Sequence, residues 1–300
     1  MHTIPLELPV SAAETGAFAE LVLDQLDRGA LTDEARNRLA VRAASLHLTS
    51  FTISAGSIAK DPIHPSTYYV AADAHGTALL LRVALASSPS SGLFPHALLI
   101  GRMRTASGRE VVVNAVPFSS TEHANIATFA ESVDSAFLPR PQGGLPAIAV
   151  ECRDPETVLP IAFEAFRMVL KRSGMNLAGV QAVDDFEHFY YVALWAAIRA
   201  GWREGYTVGA DIDSTTDIAA LVRYTKFTLR SDAESLQASQ QIYDSIQRAK
   251  AGQTPWRKFD FEGWPQQPKE GGRSVRLNAD LVPRDRLVDE IVQLAEGLKT

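Results

Sequence analysis

"GWREGYTVGADIDSTTDIAALVRYTKFTL", residues 201–229, decides how this chain is to be read. Tyr206 to Ile212 is an apolar, glycine-bearing run of the kind that forms a buried strand. The residues after it, STTDIAALVR, have helical composition, and YTKFTL is again β-rich. The stretch therefore reads strand, helix, strand. Asp211 and Asp213 stand at the carboxyl end of the first strand, and Lys226 in the middle of the second.

The same rhythm extends outward. AIAVEC (147–152) reads as a strand. DPETVLPIAFEAFRMVLKR (154–172) reads as a helix, with Asp154 at the N-cap, Pro155 at the first helical position and Gly174 near the stop. NLAGVQAV (176–183) is a strand, and DDFEHFYYVALWAAIRA (184–200) is a helix apolar nearly all round, hence largely buried. Ser231 to Glu234 has capping-box spacing and opens a further helix to about Lys250. Strands alternating with helices predict a parallel sheet with right-handed crossovers, either TIM-barrel-like or open.

Before this region the pattern differs. Residues 1–46 carry two helices, ending at Gly29 and near Ser45. Residues 47–137 hold five short β-rich runs separated by turn-like breaks, which predict an antiparallel meander, followed by a helix from Ser119 to about Val133. LPRPQGGLP (138–146) is a Pro/Gly connector and the expected seam before the βα region at 138–253. Residues 254–300 form an aromatic loop, with Trp256, Phe259, Phe261 and Trp264, and a last helix from about Arg284 to Leu298. The fold class is thus α/β with an α+β N-terminal part.

Composition narrows the function. Hydrophobic residues at 46% predict a sizeable core, and a net charge of -6 argues against a general nucleic-acid binder. A single cysteine, Cys152, excludes an internal disulfide and a Cys-cluster zinc site. The N-terminal stretch lacks the basic start and apolar run of a signal peptide, and no window is apolar enough to span a membrane. A cytoplasmic protein acting on a small molecule is the expectation, with no nucleic acid or membrane partner.

Active sites on parallel sheets gather at the carboxyl ends of the strands. That rule selects Glu151, Arg153, Asp211, Asp213 and Arg230. Glu151 and Asp211 follow buried strands before any helix begins, so capping does not explain them. Asp154, Asp184, Asp185 and Asp232 fall in first helical turns, where a carboxylate satisfies backbone N–H groups. Asp213, with Ser214, serves equally as a cap. Lys226 has two readings: a Schiff-base nucleophile made reactive by desolvation, or the ordinary one, a stem covered between helices with its ammonium in water. Cys152 reads as a buried structural thiol and His188 as a core histidine. The strand-end carboxylates are also the right chemistry for a divalent metal ion.

Residues 193–229, ALWAAIRAGWREGYTVGADIDSTTDIAALVRYTKFTL, resemble a segment of the tagaturonate epimerase family, bacterial sugar-acid epimerases with a metal and a barrel-like fold. In the family a Gly-rich strand ends Gly-Ala-Asp-x-Asp-His-Leu-Lys, and an aromatic-Thr-x-Phe-Thr strand follows. Gly209-Ala210-Asp211-Ile212-Asp213 and Tyr224-Thr225-Lys226-Phe227-Thr228-Leu229 match those strands. The chain departs after Asp213, where Ser214 to Asp217 replace His-Leu-Lys, and Arg230 stands where the family has an acidic residue. The resemblance implies a keto-sugar-acid epimerase or isomerase with Asp211 as its candidate acidic residue; the strand ends add Glu151 and Lys226 as catalytic candidates and Arg153, Asp213 and Arg230 as substrate-binding ones. Two alternatives stand beside it. One is an aldolase-like enzyme forming a Schiff base at Lys226. The other is a non-catalytic binding or assembly protein, a homo-oligomer or one docking a protein partner through 254–264.

Overall fold

The computed structural model describes residues 12–28, 31–46, 51–72, 78–88, 92–140, 147–212, 221, 223–229 and 274–298. The chain divides into two compact units, Met1–Phe137 with Ala197–Arg203, and Leu138–Ala196 with Glu204–Thr300.

In the first unit, helices α1 (Ala12–Arg28) and α2 (Asp33–Ala44) precede strands β1 (Thr52–Lys60), β2 (Ser66–Ala72), β3 (Ala78–Leu85), β4 (Leu98–Arg104) and β5 (Glu110–Pro117). All pairings are antiparallel. Period-two alternation sends Tyr69, Leu81 and Val113 to one face, where they pack with Phe18 and Val22 of α1 and Leu39 of α2. On the other face Tyr68 meets Phe94 and Phe129 edge-on or tilted.

The strand order is β1-β2-β3-β5-β4, which corrects the expected meander. β3 is buried along nearly its whole length, so both of its edges need a partner. The half-exposed β4, with Arg102 and Arg104, suits the end of a sheet. The connection at 86–97 is long enough for the chain to pass over one strand position. The expected helix at 119–133 is shorter at its start: α3 (His123–Thr128) is followed by one wide turn, Phe129–Val133.

A glycine pair closes this unit. Gly201, at φ +70°, lies so near Gly56 that a Cβ on it would stand 2.5 Å from the Gly56 Cα. Arg203 then reaches the Gly56 carbonyl at 2.6 Å, the Ile58 carbonyl at 3.2 Å and the Asp134 carboxylate at 2.8 Å.

In the second unit, β6 (Ala147–Glu151), α4 (Pro155–Ser173), β7 (Ala178–Ala182), α5 (Phe186–Ala200), β8 (Thr207–Ile212) and β9 (Lys226–Leu229) follow the predicted rhythm. Asp154 caps α4 by accepting from the Thr157 N–H at 3.3 Å, and Gly174 ends it in the left-handed conformation. Asp185 accepts from the His188 N–H at the start of α5. His188 is not a core histidine: it is half-buried, 3.4 Å from the Glu156 carboxylate, because it falls in the first turn of the helix.

A fifth parallel strand, β10 (Ser274–Asn278), lies within what the sequence presents as loop, and precedes helix α6 (Leu287–Gly297). The order is β10-β6-β7-β8-β9, so the parallel sheet is open among the described residues, with β10 and β9 at its ends. No closed barrel is formed by them. Right-handed crossovers between successive neighbours put their helices on one face. There Val158, Phe163 and Phe166 of α4 and Leu287, Ile291 and Ala295 of α6 are buried. No described helix is long and apolar enough to cross a membrane. Asp213, Arg230, the helix at 231–250 and the aromatic stretch 254–264 lie outside the described residues.

Candidate functional site

The other face of the parallel sheet carries the charges. Strand register aligns Asn278, Glu151, Gln181, Gly209 and Lys226 in one row across all five strands, so their side chains project to the same side. Asp211, two residues beyond Gly209, and Arg276, two before Asn278, share that side. Thr225 fixes the approach to β9, its hydroxyl accepting from the Val208 N–H at 2.9 Å.

Arg276 grips Asp211 with both terminal guanidinium nitrogens, at 2.5 Å and 2.8 Å, and stands 3.9 Å from the Glu151 carboxylate. The bidentate bond, with lesser attraction from both carboxylates, raises the pKa of Arg276 against the opposing effect of burial. The contact also reports the shape of the sheet. Arg276 is in register with Ala149, Gly179 and Thr207, four residues before Asp211. On a flat sheet, three strand spacings and that offset would hold the two Cα atoms about 19 Å apart, beyond the joint reach of an arginine and an aspartate. The sheet therefore curls toward its polar face, making that face concave.

The three proposed catalytic side chains meet this face under different constraints. Asp211 is 12% exposed, with both oxygens held by Arg276 and Oδ1 also accepting from Gln181 Nε2 at 3.2 Å. Glu151 is 24% exposed and touches Arg276 only at long range. Lys226 is half-buried. Burial first, then repulsion from Arg276, lowers its pKa, while Asp211 pulls the other way. Since Lys226 shares the row of Glu151, it does not emerge between helices. The covered-stem reading of the sequence is corrected by register.

Arg153 is exposed, and its backbone N–H donates to Asp280 at 3.1 Å. Cys152 is buried; desolvation, then Asp280, Asp154 and Glu151, push its thiol up to about 12, so it is no thiolate nucleophile. Among the described residues no three His, Cys, Asp or Glu side chains are grouped as a metal would need. A guanidinium fills the space beside Asp211 and Glu151. Of the described residues on this face, Asp211 and Glu151 are two carboxylates and not the group of three that a metal ion would need.

Sequence reasoning missed Arg276, and put Gln181 at a strand end without giving it a role. Ser-Val-Arg-Leu-Asn alternates apolar and polar residues, the signature of a half-buried strand, but sits after a Pro/Gly-rich stretch. Gln181 is the lone amide in an otherwise apolar run.

The fold and this face define an α/β protein with a curled parallel sheet, helices on one side and a charged row on the other. No family model and no curated protein matches the chain. Among solved structures, a glycerol-complexed fructuronate-tagaturonate epimerase UxaE from Cohnella laeviribosi is similar at 17% identity and TM-score 0.43, over 88% of this chain and 51% of that one. The native form of the same enzyme is similar at 16% identity and TM-score 0.42, over 89% and 52%. The chain thus spans about half the length of the structures it matches. Both are forms of an epimerase of the family that residues 190–230 resemble.

Proposed function

We propose that the concave face binds a small keto-sugar acid and moves a proton on the carbon beside its carbonyl, as an epimerase or isomerase does. One observation carries this reading. Glu151 and Lys226 stand in one register row, three strand spacings apart along the curled sheet, with a glycine and a folded-down amide between them. Two side chains of that length leave room for a small substrate bound between a carboxylate and an ammonium.

In this reading Glu151, the less restrained carboxylate, takes the proton. Lys226 returns one from the other flank, which inverts the carbon. Loss of the proton builds negative charge on the carbonyl oxygen, and Arg276 and Lys226 supply the positive field for it. Asp211, already saturated by Arg276 and Gln181, holds the guanidinium in place rather than accepting a proton. The substrate class follows from the resemblance of residues 190–230.

The test is solvent exchange. Incubating the protein with tagaturonate or fructuronate in D2O, followed by NMR, is expected to show deuterium entering at a carbon beside the carbonyl and the epimer at that same carbon appearing. Glu151→Gln is expected to slow this about 10²-fold to 10³-fold. Absence of exchange in the wild-type protein overturns the reading.

A second reading is favoured by the lowered pKa of Lys226 beside a cation, the arrangement that activates Schiff-base lysines. Borohydride with the same keto acids, read by mass spectrometry, separates the two. An adduct on Lys226 replaces proton transfer by carbonyl addition.

A further inference from the structure

Gln181 is the most constrained polar side chain on this face. It is 2% exposed, and its Nε2 donates to Asp211 Oδ1 at 3.2 Å. A carboxylate only accepts, so this bond fixes which end of the amide is nitrogen and leaves Oε1 as an oriented acceptor. Among the described residues no donor reaches that oxygen. Its position is set by Gly209: a Cβ there would collide with Gln181 Oε1 and stand 3.2 Å from Cδ. The amide oxygen therefore lies over the missing side chain, in the middle of the row between Glu151 and Lys226. An oriented acceptor held in place from behind, with no donor on it among the described residues, is a feature a ligand can use.

We propose that Gln181 Oε1 is the specificity-determining acceptor of the site, taking a hydrogen bond from one hydroxyl of a polyhydroxylated ligand. The inference rests on the reading of the concave face as a ligand site. Gly209 is part of the device, since only a residue without a Cβ lets the amide fold onto β8. Gln181 thereby couples recognition to charge: the amide that meets the hydroxyl also holds Asp211, which holds Arg276. A ligand lacking that one hydroxyl leaves the acceptor unpaired, and is rejected far more strongly than loss of an exposed contact would bring.

The experiment reads binding, not turnover. Calorimetric titration compares D-gluconate with its 2-, 3-, 4- and 5-monodeoxy analogues on the full chain. Wild type is expected to bind D-gluconate and to bind one analogue at least tenfold more weakly than the others. Gln181→Met is expected to erase that one discrimination and leave the rest. Gly209→Ala, which displaces the amide tip without removing it, is expected to do the same. Analogues bound within threefold of one another by wild type overturn the proposal without any variant. So does a Gln181→Met protein that weakens every analogue equally, since a purely structural role would act that way. If wild type binds no polyhydroxy acid at millimolar concentration, the ligand-site reading itself falls. A protein that binds with the expected discrimination but exchanges no deuterium refutes proton transfer and leaves the Gln181 assignment standing.

Discussion

Lys226 and Asp211 show how the same face treats two charges differently. Asp211 has a cation on both oxygens and an amide on one, so its desolvation is offset by direct bonds. Lys226 is desolvated with Arg276 nearby, and its folded pKa lies below the ordinary value. Between that lowered value and about 10.4 the unfolded chain binds more protons than the folded one, so this group makes stability rise with pH in that window. Below the folded pKa it costs stability throughout. Lys226→Met is therefore expected to raise the Tm by about 1–3 °C at pH 7, with the gain shrinking toward pH 10. A Tm that falls at pH 7 would mean the ammonium is held by a stabilising partner.

At the scale of elements, the helices were legible because their ends are written locally. Asp154, Pro155 and Gly174 bound α4 where their chemistry says they should. β10 was not legible, because five alternating residues after a Pro/Gly-rich stretch carry too little signal until a neighbour pairs with them. The β5-before-β4 order was hidden for a similar reason: burial of both edges of β3 is a property of the sheet, not of the strand. The Gly56–Gly201 approach joins residues far apart in sequence, and it gives a test. Gly201→Ala is expected to cost about 2–4 kcal/mol in urea unfolding, since positive φ and a backbone collision act together. Gly108→Ala, at φ +83° with nothing within 4 Å, is expected to cost only about 1 kcal/mol. Equal costs would remove the close approach from the account.

At the scale of the whole molecule, Cys152 is a built-in reporter for the second unit, since the sequence holds one thiol. Buried at the end of β6 with its pKa up at about 12, it is expected to resist Ellman's reagent at pH 8 in native buffer. Labelling is expected to rise with denaturant in step with the loss of β6. Labelling at a free-thiol rate without denaturant would show that this strand end is open. By itself the sequence determined the βα rhythm and the caps, and it put Glu151, Asp211 and Lys226 on parallel strands, because strand ends and helix starts are read from neighbouring residues. Only the tertiary structure decided that these three share one concave face with Arg276 and Gln181. Which side of a sheet a residue faces, and which distant strand lies beside it, follows from register and curvature, and those are set by pairing between segments far apart in the chain.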